Sequence, residues 1–209
     1  SITIYRYKNS NMTDEEFPKD VLPFEEEIKK YIDKYVLEED KEAHVSTSSF
    51  VPKPFTPFQW EPQDSTELLR EKQIYLKEQF KPIKQVKYNW HDTRTSFLEA
   101  VFSRGDRRLS GVIYNAYKNG AMFDSWQDYF RQEYWDDAFI KAGLDPHFYA
   151  NRRRDINETL PYDHIDCYVS KSYFKRELKK ATEAKTTDDC RNGCTGCGFG
   201  GKCENAFRN

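Results

Sequence analysis

Four of the five cysteines in this chain fall within fourteen residues: Cys190, Cys194, Cys197 and Cys203. Their spacing is C-x3-C-x2-C-x5-C, and five of the nine glycines (Gly193, Gly196, Gly198, Gly200 and Gly201) share the stretch. Glycine reaches backbone conformations that other residues avoid, so such a loop can turn several thiols toward one point. Thiolates are soft ligands that suit zinc and iron–sulfur clusters. Zinc sites commonly pair two short knuckles across a longer spacer. Here every gap is short and no histidine is near, a pattern closer to a cluster-ligand run. Cys190, Cys194 and Cys197 could hold three irons of a four-iron cluster, with the fourth iron open or closed by Cys203. Zinc and uncoordinated thiols are the alternatives.

Other groups have chemistry to offer. Cys167 follows Asp163-His164-Ile165-Asp166. A Cys-His-Asp grouping invites a nucleophile reading, but adjacency in sequence is not triad geometry. The preferred reading is a half-buried thiol beside a loop histidine. Trp90-His91-Asp92 closes an expected strand, and strand ends are where α/β sheets place ligand-binding groups. His91 could serve as acid, base or ligand, while Asp92 could simply cap the next helix. The runs Arg104-Gly-Asp-Arg-Arg108 and Arg152-Arg-Arg154 could grip phosphates, RNA or a ribosomal surface, or form solvated faces paired with nearby acids. Trp126, Tyr129, Phe130, Tyr134, Trp135 and Phe139 recur at helical spacing and are expected in the core.

These groups need elements to position them. Alternation predicts a short strand over 2–7, and apolar residues Phe24, Ile28, Ile32 and Val36 predict a helix over 24–37. A strand over 43–51 runs into four prolines within residues 52–62, which rules out a helix or a central strand there. Asp64 with Glu67 resembles a cap and its box partner opening a helix over 65–80. A strand over 85–90 follows. Helices are expected over 93–103, 106–119 (Leu109, Val112, Ile113, Ala116 and Tyr117 on one face), 126–142 and 171–182, the last capped by Ser170. No glycine precedes Gly105, which excludes a glycine-rich phosphate or dinucleotide loop in the first half.

The 209 residues suffice for one large domain or two small ones. The net charge of −2 is uneven: residues 1–42 carry twelve acids and seven bases. No apolar run approaches membrane-spanning length, and no leader pattern is visible. An odd cysteine count without a secretion signal argues against a disulfide scaffold. The expected setting is cytoplasmic, with no membrane partner.

Several blocks in order resemble a bacterial radical S-adenosylmethionine family that usually carries a cobalamin-binding domain. They are Phe50-Val-Pro-Lys-Pro-Phe-Thr-Pro-Phe-Gln-Trp60, the stretch from Trp90 to Leu109, Gly143-Leu-Asp-Pro-His-Phe-Tyr-Ala-Asn-Arg152, Leu160-Pro-Tyr-Asp-His-Ile-Asp166, and Asp189-Cys-Arg-Asn-Gly-Cys-Thr-Gly-Cys-Gly198. The resemblance covers residues 43–198. It departs at Phe55, where the pattern has histidine, and at Tyr162, where it has tryptophan. The family's radical-generating C-x3-C-x2-C loop lies early in a barrel, and this chain has no cysteine before Cys167. The terminal cysteines match the family's separate C-terminal run instead. A full eight-stranded barrel needs about 250 residues, more than the three expected strands can supply.

The resemblance implies the C-terminal part of a longer enzyme, with upstream domains of the same polypeptide as partners, or a shortened relative. It implies an auxiliary iron–sulfur cluster on Cys190, Cys194 and Cys197, with Cys203 as a possible fourth ligand. S-adenosylmethionine and cobalamin are implied for the full-length family only, and His91 and His164 for substrate or ligand contact. The competing reading is a non-enzymatic module, locked by zinc, that binds RNA or a ribosomal surface. The expected fold is α+β. An acidic segment (1–42) precedes a few barrel-type strands and their loop (43–92). A helical subdomain (93–185) and a cysteine-rich metal-binding tail (186–209) follow.

Overall fold

The computed structural model describes residues 2–4, 43–84 and 86–199. The helix expected over 24–37, and Cys203, lie outside the described residues. Three strands, β1 (Ile2–Ile4), β2 (Ala43–Thr47) and β3 (Val86–Trp90), form a parallel sheet in that order. Val45 is paired with Ile2 on one side and Tyr88 on the other. Parallel strands need a crossover; between β2 and β3 the chain forms α1 (Thr66–Phe80). The rest is helical: α2 (Thr93–Arg104), α3 (Leu109–Asn119), α4 (Gln132–Ala142), the short α5 (Pro146–Ala150) and α6 (Lys171–Thr182). The class is therefore mixed α and β with few strands, as expected. Among the described residues no helix is long and apolar enough to cross a membrane.

The chain divides into two compact units, residues 1–50 with 64–96, and residues 51–63 with 97–209. The proline-rich stretch, expected to stay with the strands, belongs to the helical unit. The reason is long-range packing: Trp60 is 1% exposed, the Gln63 amide donates to the Ala150 carbonyl at 2.9 Å, and the Arg154 amide donates to the Trp60 carbonyl at 2.9 Å.

In the first unit Val45 and Phe80 form a small core backed by Leu76, Val86 and Tyr88. The Tyr88 hydroxyl lies 2.7 Å from Thr47 Oγ1, and burial raises its pKa despite that bond. Ser65, not Asp64, caps α1: its Oγ accepts from the Leu68 amide at 3.2 Å. Asp64 is held instead by Lys72 at 2.5 Å.

The second unit has two apolar clusters. One gathers Phe97, Val101, Leu109, Val112, Trp135 and Phe139, among others; the other gathers Trp60, Leu160, Tyr162, Phe174 and Leu178. Two expected helices begin late. The Asp106 carboxylate accepts from the Arg108 amide at 2.9 Å, a local turn that competes with helix, so α3 starts at Leu109. Trp126 and Tyr129 are 50% and 59% exposed; with no core contact to hold them, residues 124–129 form turns and α4 starts at Gln132. The aromatic stripe therefore enters the core only from Phe130 onward. On α3, Ile113 and Tyr117 are exposed, leaving a narrower buried face of Leu109, Val112 and Ala116. Asp145, whose carboxylate accepts from the His147 amide, and Pro146 at the first position open the short helix α5.

Candidate functional site

The cysteine loop lies in the second unit and is fastened to the start of α6. Ser170 caps that helix, its Oγ accepting from the Tyr173 amide at 3.2 Å. The Ser170 amide donates to the Cys197 carbonyl at 2.8 Å. One turn along the helix, Arg176 Nη2 donates to the Thr195 and Gly196 carbonyls at 2.7 and 3.3 Å. Phe199 packs edge-on against Tyr168, with centroids 6.0 Å apart.

Inside the loop, Cys190 opens a single 3-10 turn capped by Asp189. The Asp189 carboxyl is held below its usual range by the Arg191 guanidinium. Cys194 Sγ accepts from the Gly196 amide at 3.4 Å. Cys190 and Cys194 are exposed and Cys197 is half-buried.

Gly198 is required twice over. Its φ is +100°, and a Cβ there would stand 2.9 Å from the Ser170 amide nitrogen. Gly198→Ala is expected to release the loop from α6 at a cost of about 1–3 kcal/mol. Faster hydrogen exchange at Ser170 would report the release, and unchanged exchange would refute it.

The donor chemistry fits a thiophilic centre, with three thiols within eight residues and a backbone N–H on one sulfur. Among the described residues no three Cys, His, Asp or Glu side chains are gathered at ligand distance. The loop is fastened to α6, and its three described thiols are not gathered at one point.

Beside the loop lies a cavity of about 470 Å³ lined by Phe55, Gln59, Asp163, His164, Cys167 and Ser170, among others. That volume falls in the range of small-molecule sites. Ser170 joins the two features, since it lines the cavity and holds Cys197. Gln59 is 2% exposed, and its Oε1 accepts from the Phe55 amide at 3.2 Å. Lys171, also lining the cavity, is paired with Asp163 at 2.6 Å. The Cys167 thiol donates to the Val169 carbonyl at 3.5 Å, in keeping with a half-buried thiol. Phe55 and Tyr168 have φ of +56° and +63°, conformations costing about 1–2 kcal/mol for residues with a side chain. Such strain concentrates at functional sites.

His164 is exposed and lines the cavity. His91 belongs to the first unit. It ends β3, its amide donating to the Thr47 carbonyl and its Nδ1 lying 3.4 Å from Ser48 Oγ. Asp92 acts as the cap: it accepts from the Arg94 amide at 2.7 Å, and the Arg94 guanidinium holds its pKa down. Gln59 and Lys171 were not singled out from sequence. Lys171 follows the cap Ser170, the one local signal that could have flagged it.

The arginine runs are largely committed. Arg104 and Arg154 are buried, Arg108 pairs with Asp106, Arg152 with Glu158 and Arg153 with Glu61. No known protein family, curated protein or solved structure matches this chain.

Proposed function

We propose that this chain is the C-terminal region of a radical S-adenosylmethionine enzyme and that its cysteine loop carries an auxiliary iron–sulfur cluster. The observation that carries the reading is the loop itself, a thiol-rich turn fastened by Ser170 and Arg176 beside a cavity of mixed apolar and polar lining. Cys190, Cys194 and Cys197 would hold the cluster, with Cys203 as a fourth ligand if the site is closed. When bound, the cluster supplies one-electron chemistry or an open iron for a substrate group. The chain's own residues hold the loop in place and present Gln59, His164 and Lys171 to the cavity. The three parallel strands are read as late elements of a barrel. Cleavage of S-adenosylmethionine, and any cobalamin, belong on this reading to upstream domains of the same polypeptide.

The zinc-locked RNA- or ribosome-binding alternative draws on the arginine runs. Their burial and ion pairing weigh against it.

Iron, sulfide and zinc analysis of the anaerobically purified chain tests the reading. Iron with acid-labile sulfide and broad visible absorption is expected; stoichiometric zinc without iron would sink it. With an open iron, Cys203→Ala keeps the iron, whereas a four-thiolate site loses it.

A further inference from the structure

We infer that the cavity beside the cysteine loop binds a small organic ammonium ion with an apolar body and an oxygen acceptor. The inference rests on the reading above, which sets the cluster beside this cavity, and it names the substrate class that reading leaves open. Gln59 supplies the first observation. It lines the cavity and is 2% exposed. The Phe55 amide donates to its Oε1 at 3.2 Å. An N–H needs an acceptor, so that bond fixes which end of the side-chain amide is oxygen. Among the described residues nothing accepts from the Nε2 end, yet that end is not sealed inside the protein. An amide NH2 that meets open space on an otherwise buried residue faces the cavity it lines, and it calls for an acceptor there.

Charge is the second observation. Lys171 and Asp163 offset each other at 2.6 Å. The Lys171 ammonium also donates to the Glu158 carbonyl at 3.1 Å, and the Asp163 carboxylate also accepts from the Leu160 amide at 2.8 Å. Asp166 is differently placed. Its Oδ1 accepts from the Tyr168 amide at 2.8 Å, a neutral dipole, and among the described residues no cation pairs with it. With His164 counted neutral, two acids and one base give the cavity wall a formal excess of negative charge.

The rest of the wall is apolar: Phe55, Ile165, Val169 and Phe174. The Phe55 ring is braced edge-on against Tyr162 with centroids 5.4 Å apart. Phe55 holds a left-handed backbone, and its amide is the one that orients Gln59. An anionic ligand would meet Asp166 with no free cation to offset it, because Lys171 is committed. A wholly apolar ligand would strip water from the Gln59 NH2 and the Asp166 carboxylate without replacing it. An amphipathic amine meets each demand. Its ammonium group faces Asp166, a hydroxyl or carbonyl oxygen accepts from Gln59, and its ring or chain lies against Phe55 and Phe174.

The test is calorimetric titration of the anaerobically purified full chain at neutral pH. Phenethylamine, phenethyl alcohol and phenylacetate present a cation, a neutral group and an anion on one body, and tyramine adds a hydroxyl to the amine. Phenethylamine is expected to bind about fivefold tighter than the alcohol, as one partly exposed ion pair allows, and phenylacetate weaker than both. Tyramine should bind tighter than phenethylamine; a hydroxyl that adds nothing overturns the part assigned to Gln59. Asp166→Asn keeps the Oδ1 acceptor for the Tyr168 amide and should bring the amine down to the affinity of the alcohol. Equal affinity for cation, neutral and anion, or an amine preference that survives Asp166→Asn, overturns the inference. So does the absence of binding by every probe, which leaves the cavity to water. Should the variant fail to fold, the ranking of the probes by the wild-type chain decides alone. Iron content of the same sample separates this inference from the reading above. Amine binding without iron upholds the site and sinks the cluster, and iron without amine binding does the reverse.

Discussion

On the proposed cluster, Cys194→Ala or Cys197→Ala should strip the anaerobically purified chain of iron and visible absorption, while Cys167→Ala leaves both intact. The contrast follows from where the thiols sit. Cys194 and Cys197 are on the loop fastened to α6, and the Cys194 sulfur already accepts a backbone N–H. The thiolate is the form that binds metal. Losing one of at most four thiolates leaves an iron without its protein ligand, so retained iron should fall below about a tenth of wild type. Cys167 lies on the cavity wall with its thiol turned to the Val169 carbonyl, and serves as an internal control for nonspecific thiol effects. Circular dichroism separates ligand loss from unfolding, because α6 is capped by Ser170 and not by a cysteine. Full iron in both loop variants would refute the assignment. Iron lost equally in Cys167→Ala would place the cluster elsewhere.

Local signals carried far in this chain where several agreed. At α6 the Ser170 cap, the buried pair Phe174 and Leu178, and the basic last turn all coincide, and the helix spans the expected residues. The same holds for β3 and α1 to within a residue. Misreadings arose where a local hydrogen bond or a missing tertiary contact overrode periodicity, as at Asp106 and Trp126. The site was legible in part. Cysteine spacing is a one-dimensional property, so the thiol-rich loop could be read directly. Its attachment depends on the Ser170 amide reaching Cys197, twenty-seven residues on, which no local pattern encodes. The arginine runs were the least legible. Composition places arginine at the surface, but Arg104 is drawn inside by two carbonyls nearly fifty residues away.

Arg104→Met should destabilise the second unit by about 3 kcal/mol, read as a lower urea midpoint at unchanged slope. Methionine fills similar space and removes a buried cation, so two effects oppose each other. Relief of desolvation and of repulsion from Arg154 favours the variant. Against it, the Ala150 and Arg152 carbonyls lose donors at 2.5 and 2.6 Å. Unpaired buried carbonyls cost about 1–3 kcal/mol each, and two of them outweigh the relief because Arg154 stays charged and buried. Arg104→Lys sharpens the argument. A single ammonium keeps the charge and the repulsion but lacks the planar fork that serves both carbonyls, so it should recover less than half of the loss. A methionine variant as stable as wild type would show that the guanidinium does not hold residues 150–152. A lysine variant equal to wild type would show that charge alone, and not the paired geometry, is what the core requires.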